Sequence, residues 1–301
     1  MDWPTQRVED HPVGAFEVPW CPYPGCKSHR GERPRVTRHG TYLRSCDGRR
    51  VQRWKLGCCG RTCSDQTFAA TYYLKAPHLH EPSAAARVAG TAPRQLARSL
   101  ACSVTPVNRQ QARLGRQAIL LQEQALAHVE AIREPIVYDD FEGFVFSQDH
   151  AFGMGTPVGQ DSWFVYGLEY APHRIGRRRS GKRRRVGREH RRPGAYSRSF
   201  RAILDLLSAK VPAGQTLELV TDRHPAYGAG VRRHPARSRI RHRVFPNPPR
   251  HLSRSTAAMR RHRQMFAVDL LHKLLRHSQA HHRRETIAFG RRLNAALERG
   301  F

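Results

Sequence analysis

The sequence predicts a mixed α/β core preceded by a small cysteine-rich module and a helical segment. Three observations lead there. Six of the seven cysteines fall between residues 21 and 63, apolar residues recur at helical spacing between Glu81 and Glu134, and beyond Pro135 strand-like runs alternate with amphipathic helices. A chain of 301 residues is long enough for about two domains, one with a core of enzyme size.

Residues 1–75 are rich in Cys, Pro and Gly, with apolar stretches too short to build a core of their own. A module of this kind needs a staple. Cys21-Pro-Tyr-Pro-Gly-Cys26 places two thiols across a tight turn, and Cys58, Cys59 and Cys63 follow the strand-like Val51-Gln52-Arg53-Trp54. Two such knuckles supply four sulfurs for a tetrahedral zinc ribbon, with Cys21, Cys26, Cys59 and Cys63 as the expected set. Which two of the last three cysteines bind is open, and Cys46 or His29 could substitute. A site closed by four protein ligands would be structural.

Residues 76–134 read as two or three helices, broken near Ser103 to Pro106. The break has the character of a helix-turn-helix: one helix ends near Cys102, Thr105 caps the next with Pro106 in its first turn, and Arg109 and Gln110 face outward. On this reading Arg94, Arg98, Arg109, Gln110 and Arg113 contact DNA.

Residues 135–301 form the α/β region. Ile136-Val137-Tyr138 and Phe144-Val145-Phe146 read as a hairpin of strands interrupted by acids, and Ser162 to Leu168 as a third strand. Ser197 to Lys210 is an amphipathic helix, Thr216 to Thr221 a strand, and Arg239 to Phe245 a weaker one. Phe266 to His277 is a helix with Leu270, Leu271, Leu274 and Leu275 on its buried face. Between residues 174 and 192 lie eleven Arg or Lys and a single acid, Glu189, as expected of an exposed insertion over a phosphate backbone. Within it Arg177, Arg178, Lys182, Arg183 and Arg184 are the expected contacts.

Charge selects the partner. Lys and Arg number 53 against 24 Asp and Glu, a net charge of +29, and the isoelectric point is near 11.2. Such a chain binds polyanions through counterion release, and the Arg bias suits bidentate contact with phosphates and guanine edges of double-stranded DNA. No run is long and apolar enough to span a membrane and the start lacks a secretory signature, so a cytoplasmic, nucleoid-associated protein is expected.

Against this background the isolated acids at strand ends are the informative ones, since each opposes the attraction for DNA. Asp139 and Asp140 end one expected strand, Asp222 ends another, and Asp269 opens the last helix. Only folding can bring them together. Carboxylates held close repel unless a divalent cation neutralises them, and oxygen ligands with open positions suit Mg²⁺ or Mn²⁺ in phosphoryl transfer.

At these residues the chain resembles bacterial insertion-sequence transposases of the DDE type with an N-terminal zinc ribbon and helix-turn-helix. The carrying segments are Arg61-Thr-Cys-Ser-Asp-Gln-Thr-Phe68, Tyr138-Asp-Asp-Phe-Glu-Gly-Phe144, Thr221-Asp-Arg-His-Pro-Ala-Tyr227 and Phe266-Ala-Val-Asp-Leu-Leu-His-Lys-Leu-Leu-Arg-His277, followed by Arg284-Glu-Thr-Ile-Ala-Phe289. The resemblance implies an RNase H-like catalytic core, cleavage at inverted-repeat ends, strand transfer into target DNA, and a homodimer by analogy. It implies Asp139 as first metal ligand, Asp222 as second, and a third from the last helix: Asp269, with His272 one turn away and Glu285 farther along as alternatives. The competing reading is a truncated or catalytically inactive copy that only binds DNA.

Overall fold

In the computed structural model, residues 16–29, 31, 33–145, 151–172 and 194–282 are described, and the chain divides into two compact units, Met1–Pro82 and Ser83–Phe301. The expected boundary at residue 75 is thus replaced by Pro82, and the helical segment belongs with the α/β region instead of standing as a third domain. The basic insertion residues Arg177, Arg178, Lys182, Arg183 and Arg184, and Glu285, lie outside the described residues.

The first unit contains an antiparallel sheet of β1 (Val36–Leu43), β2 (Arg50–Leu56) and β3 (Thr62–Ser64), in that order. Its core is small: Val18, Cys21, Leu56 and Cys63, with Phe16, Trp54 and Phe68 packed on them. So few apolar groups bury too little surface to order a unit of this length, which leaves a staple necessary.

At the start of the second unit, α2 (Pro93–Ser99) and α3 (Val104–Ala127) follow α1 (His80–Val88). Leu96, Ala97 and Val107 join the helices, with Ala86, Leu100 and Val104 around them. The first of the two core helices ends at Ser99, earlier than expected, and the turn is closed by Ala101 in the left-handed region at φ 48°, next to Cys102. Ser103, not Thr105, stands at the cap of α3. Gln110 is buried, against expectation, because it lies three residues from buried Val107 and shares its helix face. Arg94, Arg98 and Arg109 are exposed and Arg113 is partly buried. The far end of α3 is fastened by Lys210, whose Nζ donates to the carbonyls of Leu126 and Val129, both at 2.9 Å.

The principal sheet has five strands, β4 (Ile136–Phe144), β5 (Ala151–Gly159), β6 (Glu169–Pro172), β7 (Leu217–Thr221) and β8 (Ile240–Val244), in the order β6-β5-β4-β7-β8. β4, β5 and β6 are an antiparallel meander, while β7 runs parallel to β4 and β8 parallel to β7. The connections between parallel strands carry helices, α4 (Ala195–Lys210) before β7 and α5 (Pro225–Arg233) before β8, and α6 (Thr256–Ser278) closes the unit. Alternation along β4 sends Ile136 and Tyr138 to the side of α4 and α5, where they bury with Phe200, Ile203, Leu204 and Tyr227. Val137 goes to the other side and meets Met265 and Val268 of α6.

Two expectations give way here. Residues 136–144 are one continuous strand with the acids inside it, and its partner is Ala151–Gly159. Residues 162–168 contribute only an isolated bridge, Val158 to Val165. The last helix also begins far earlier than Phe266: it starts at Thr256, where the Ser255 hydroxyl accepts from the Ala258 N–H at 3.2 Å. Asp269 is therefore well inside the helix, and the buried face runs through Met265 and Val268 while Leu274 is exposed.

Candidate functional site

Strand register places the two leading acids side by side. Tyr138 pairs with Thr221 across the parallel strands, so the next residue of each, Asp139 inside β4 and Asp222 just past the end of β7, sits where the parallel pairing stops, on strands roughly 4.8 Å apart. Consecutive residues on a strand face opposite ways, which sends Asp139 to the α6 side and Asp140 to the other. Asp140 accepts there from Tyr227 Oη at 2.6 Å and from Tyr138 Oη at 3.4 Å, and Tyr227 Oη also lies 3.3 Å from Asp139 Oδ1.

Helix α6 brings the third group. Val268 packs in the same cluster as Val137, and one turn of helix, about 6 Å over four residues, matches the two-residue step from Val137 to Asp139. His272 accordingly sits over Asp139, with Nδ1 at 3.9 Å from Oδ2. Thr156, directly across from Asp139 on β5, orients the ring. Its hydroxyl donates to the Asp139 carbonyl at 2.7 Å, so the 2.7 Å contact with His272 Nε2 is one that it accepts. That pairing assigns the imidazole proton to Nε2 and leaves Nδ1 as the ring atom facing a carboxylate. Asp269 is placed differently from the expectation. Arg261 grips both of its oxygens, the Nη2 to Oδ1 contact being 3.3 Å, and it bears on Asp139 only as a minor like charge.

Asp222 is held from two directions. Oδ1 accepts from the His224 N–H at 2.8 Å, an Asx turn leading into α5, and Oδ2 from Asn247 Nδ2 at 3.1 Å. The Thr221 hydroxyl donates to the Asp222 carbonyl at 2.8 Å and contacts His242 Nε2 at 2.9 Å, repeating the threonine–histidine pairing seen beneath Asp139.

The electrostatics follow from this crowding. Burial, then the neighbouring Asp222 charge, pushes the Asp139 carboxyl up to about 7, and burial raises Asp140 to about 6 in spite of its two tyrosine donors. Burial together with Arg276 drives His272 down to about 3, which keeps the ring neutral. The site thus sets a partly desolvated carboxyl beside a second carboxylate and a neutral imidazole.

A second constellation lies in the first unit. Cys21, Cys26, Cys58 and Cys59 offer sulfurs that all lie within 4.8 Å of one another, with Cys21 Sγ to Cys59 Sγ at 3.8 Å. A tetrahedron with metal–sulfur bonds of about 2.3 Å has edges of about 3.8 Å, so these four cysteines can bind a metal. Cys58 takes the place expected for Cys63. The turn from Gly57 to Gly60, with Gly60 at φ 69° and its N–H on the Leu56 carbonyl, carries both adjacent cysteines toward the Cys21–Cys26 knuckle. Cys63 instead enters β3 opposite Trp54 and is buried, its thiol raised to about 11. His29 Nδ1 contacts the Cys21 carbonyl at 2.8 Å, and neither it nor Cys46 joins the four sulfurs. Burial among the other thiols pushes Cys21 up to about 12.

Thr156, Tyr227 and Asn247 contact the candidate residues and were not among the positions the sequence singled out, although Tyr227 lies in the Thr221–Tyr227 segment; Cys58 was one of the three cysteines left open. Among the described residues no helix is long and apolar enough to cross a membrane. Comparison with models of known families, with curated proteins and with solved structures gives no match.

Proposed function

We propose that the second unit is the RNase H-like core of a DNA transposase, cleaving and joining DNA strands with a divalent cation held by Asp139, Asp222 and His272. The observation that carries the reading is the approach of His272 Nδ1 to Asp139 Oδ2 at 3.9 Å, with the ring's proton committed to Thr156. Two acceptors facing each other at that distance call for a cation or a proton between them. The strand order, with β4 central, β5 and β6 antiparallel to it and β7 and β8 parallel, supports the RNase H-like assignment.

Mg²⁺ or Mn²⁺ at such a site would neutralise charge on the scissile phosphate and supply an activated nucleophile near neutral pH. The chain's own groups do the positioning. Asp139 and Asp222 present oxygens from neighbouring strands, Asn247 and the His224 N–H aim the Asp222 carboxylate, and Thr156 fixes the imidazole. His272 takes the place in the triad first expected for Asp269, and a nitrogen ligand tilts the preference from Mg²⁺ toward Mn²⁺. The excess of 29 positive charges supplies affinity for the DNA backbone, with Arg94, Arg98 and Arg109 exposed on the helical segment. In the first unit the four cysteines would hold a structural Zn²⁺.

A second reading has its own observation. With Asp269 committed to Arg261, no third carboxylate on the described part of α6 faces the pair, as would suit an inactive copy that only binds DNA. Incubating labelled duplex carrying the element's end with Mn²⁺ and either the wild type or Asp222→Asn decides between them. Cleavage by the wild type that the variant loses supports the enzyme; equal binding with no cleavage by either supports the binding protein.

A further inference from the structure

The first unit contains a cavity of about 430 Å³ on the sheet, lined by Tyr42, Arg53, Tyr72, Tyr73 and Lys75 among others. Its lining has a consistent chemistry. No carboxylate lines it, and of its cations Arg44 is already neutralised by Asp47, whereas Arg53 and Lys75 have no ion-pair partner among the described residues. Two positive charges therefore remain without an acidic counterpart.

The aromatic side is unusual in conformation. Tyr73 stands in the left-handed region at φ 59°, which a bulky residue rarely adopts, and the residue is 86% exposed. It meets the Tyr72 ring edge to face at 4.6 Å between centroids. A strained backbone that holds a large ring out of the core is a conformation kept for contact with something else. Exposed rings beside unpaired cations suit a ligand with a flat face and an anionic group, which is the chemistry of a nucleotide. A pocket of this volume takes one such unit.

We propose that the cavity takes one unpaired nucleotide of a DNA strand, its base against Tyr72 and Tyr73 and its phosphate on Arg53 and Lys75. The proposal rests on the transposase reading only in naming DNA as the polymer; it needs neither the carboxylates nor their cation. Such a pocket would let the protein prefer DNA with a frayed or single-stranded end over fully paired duplex.

The test measures binding of the full chain, without added Mg²⁺ or Mn²⁺, to a labelled blunt duplex and to the same duplex with a short single-stranded tail. The wild type is expected to bind the tailed form roughly tenfold more tightly, the size of one base stacked on an aromatic ring. Tyr73→Asn, which keeps a residue that tolerates left-handed backbone, should abolish that preference while leaving blunt-duplex affinity unchanged. Arg53→Gln should reduce the preference and its salt dependence. Equal binding of the two forms by the wild type, or a preference that survives Tyr73→Asn, would overturn the proposal and leave the cleavage assay unaffected. Binding of free thymidine monophosphate as tight as that of the tail would also overturn it, since the pocket would then serve a soluble nucleotide.

Discussion

The two candidate metal sites differ in how they are made. The cysteine cluster draws its four sulfurs from two short turns of one small unit and leaves no position open. The aspartate site draws its groups from two strand ends and a helix of the other unit, and the described groups that face one another there are few. A closed set of soft ligands stabilises a fold; an incomplete set of hard and borderline ligands leaves room for substrate. In both, burial disfavours the charged form of a would-be ligand: it raises the Cys21 thiol and, with the Asp222 charge adding to it, the Asp139 carboxyl.

The largest difference should appear when each ion is removed. Cys58→Ser is expected to release one bound zinc per chain and unfold the first unit, since its small core cannot hold it, while Cys63→Ser retains the metal. Zinc content and the dispersion of amide signals check this. In the second unit Asp222→Asn should leave the fold intact and lower DNA cleavage about a thousandfold, the worth of several kcal/mol of transition-state stabilisation. Single-turnover cleavage measures it.

The contrast extends to pH. Because the folded-state value of Asp139 lies above the ordinary one, the protonated carboxyl stabilises the metal-free fold at acid pH, and that contribution is lost as pH climbs through about 7. Without divalent ion, the wild type should therefore lose more melting temperature between pH 5 and pH 8 than Asp139→Asn, in which only Asp140 of the pair still ionises. Added Mn²⁺ should restore the wild type at pH 8 and leave the variant unmoved. The smallest effect is expected at Asn247. Asn247→Ala frees one oxygen of Asp222 and should weaken Mn²⁺ binding by about tenfold, as removal of a supporting hydrogen bond usually does.

The two sites were also unequally legible in the sequence. Cysteines clustered between residues 21 and 63 announce a metal by themselves, and only the choice of Cys58 over Cys63 needed the turn at Gly60. Asp139 and Asp222 were readable as acids after apolar strands, because parallel pairing puts such positions at one sheet end. The position of Asp269 was less legible, and His272 stood only as an alternative to it: with α6 expected to begin at Phe266, Asp269 looked like an acid of the first turn. Its true start at Thr256 makes Val268 and His272 the inward pair and leaves Asp269 to Arg261. β5 escaped notice because Gly153, Gly155, Pro157 and Gly159 look like a loop. The first two glycines admit rings: a Cβ at Gly153 would lie 2.8 Å from the Tyr196 ring, and one at Gly155 would collide with the Tyr138 hydroxyl, whereas one at Gly159 would meet the Glu134 carboxylate. Thr156 was hidden with that strand.

Pulsed electron paramagnetic resonance of Mn²⁺ added to the full chain tests whether a divalent cation binds between Asp139, Asp222 and His272. One tightly bound Mn²⁺ is expected, with a nitrogen hyperfine coupling that disappears in His272→Gln, persists in Asp269→Asn, and is absent with the ion itself in Asp139→Asn. Mn²⁺ bound without nitrogen coupling, or a coupling that survives His272→Gln, would contradict binding there.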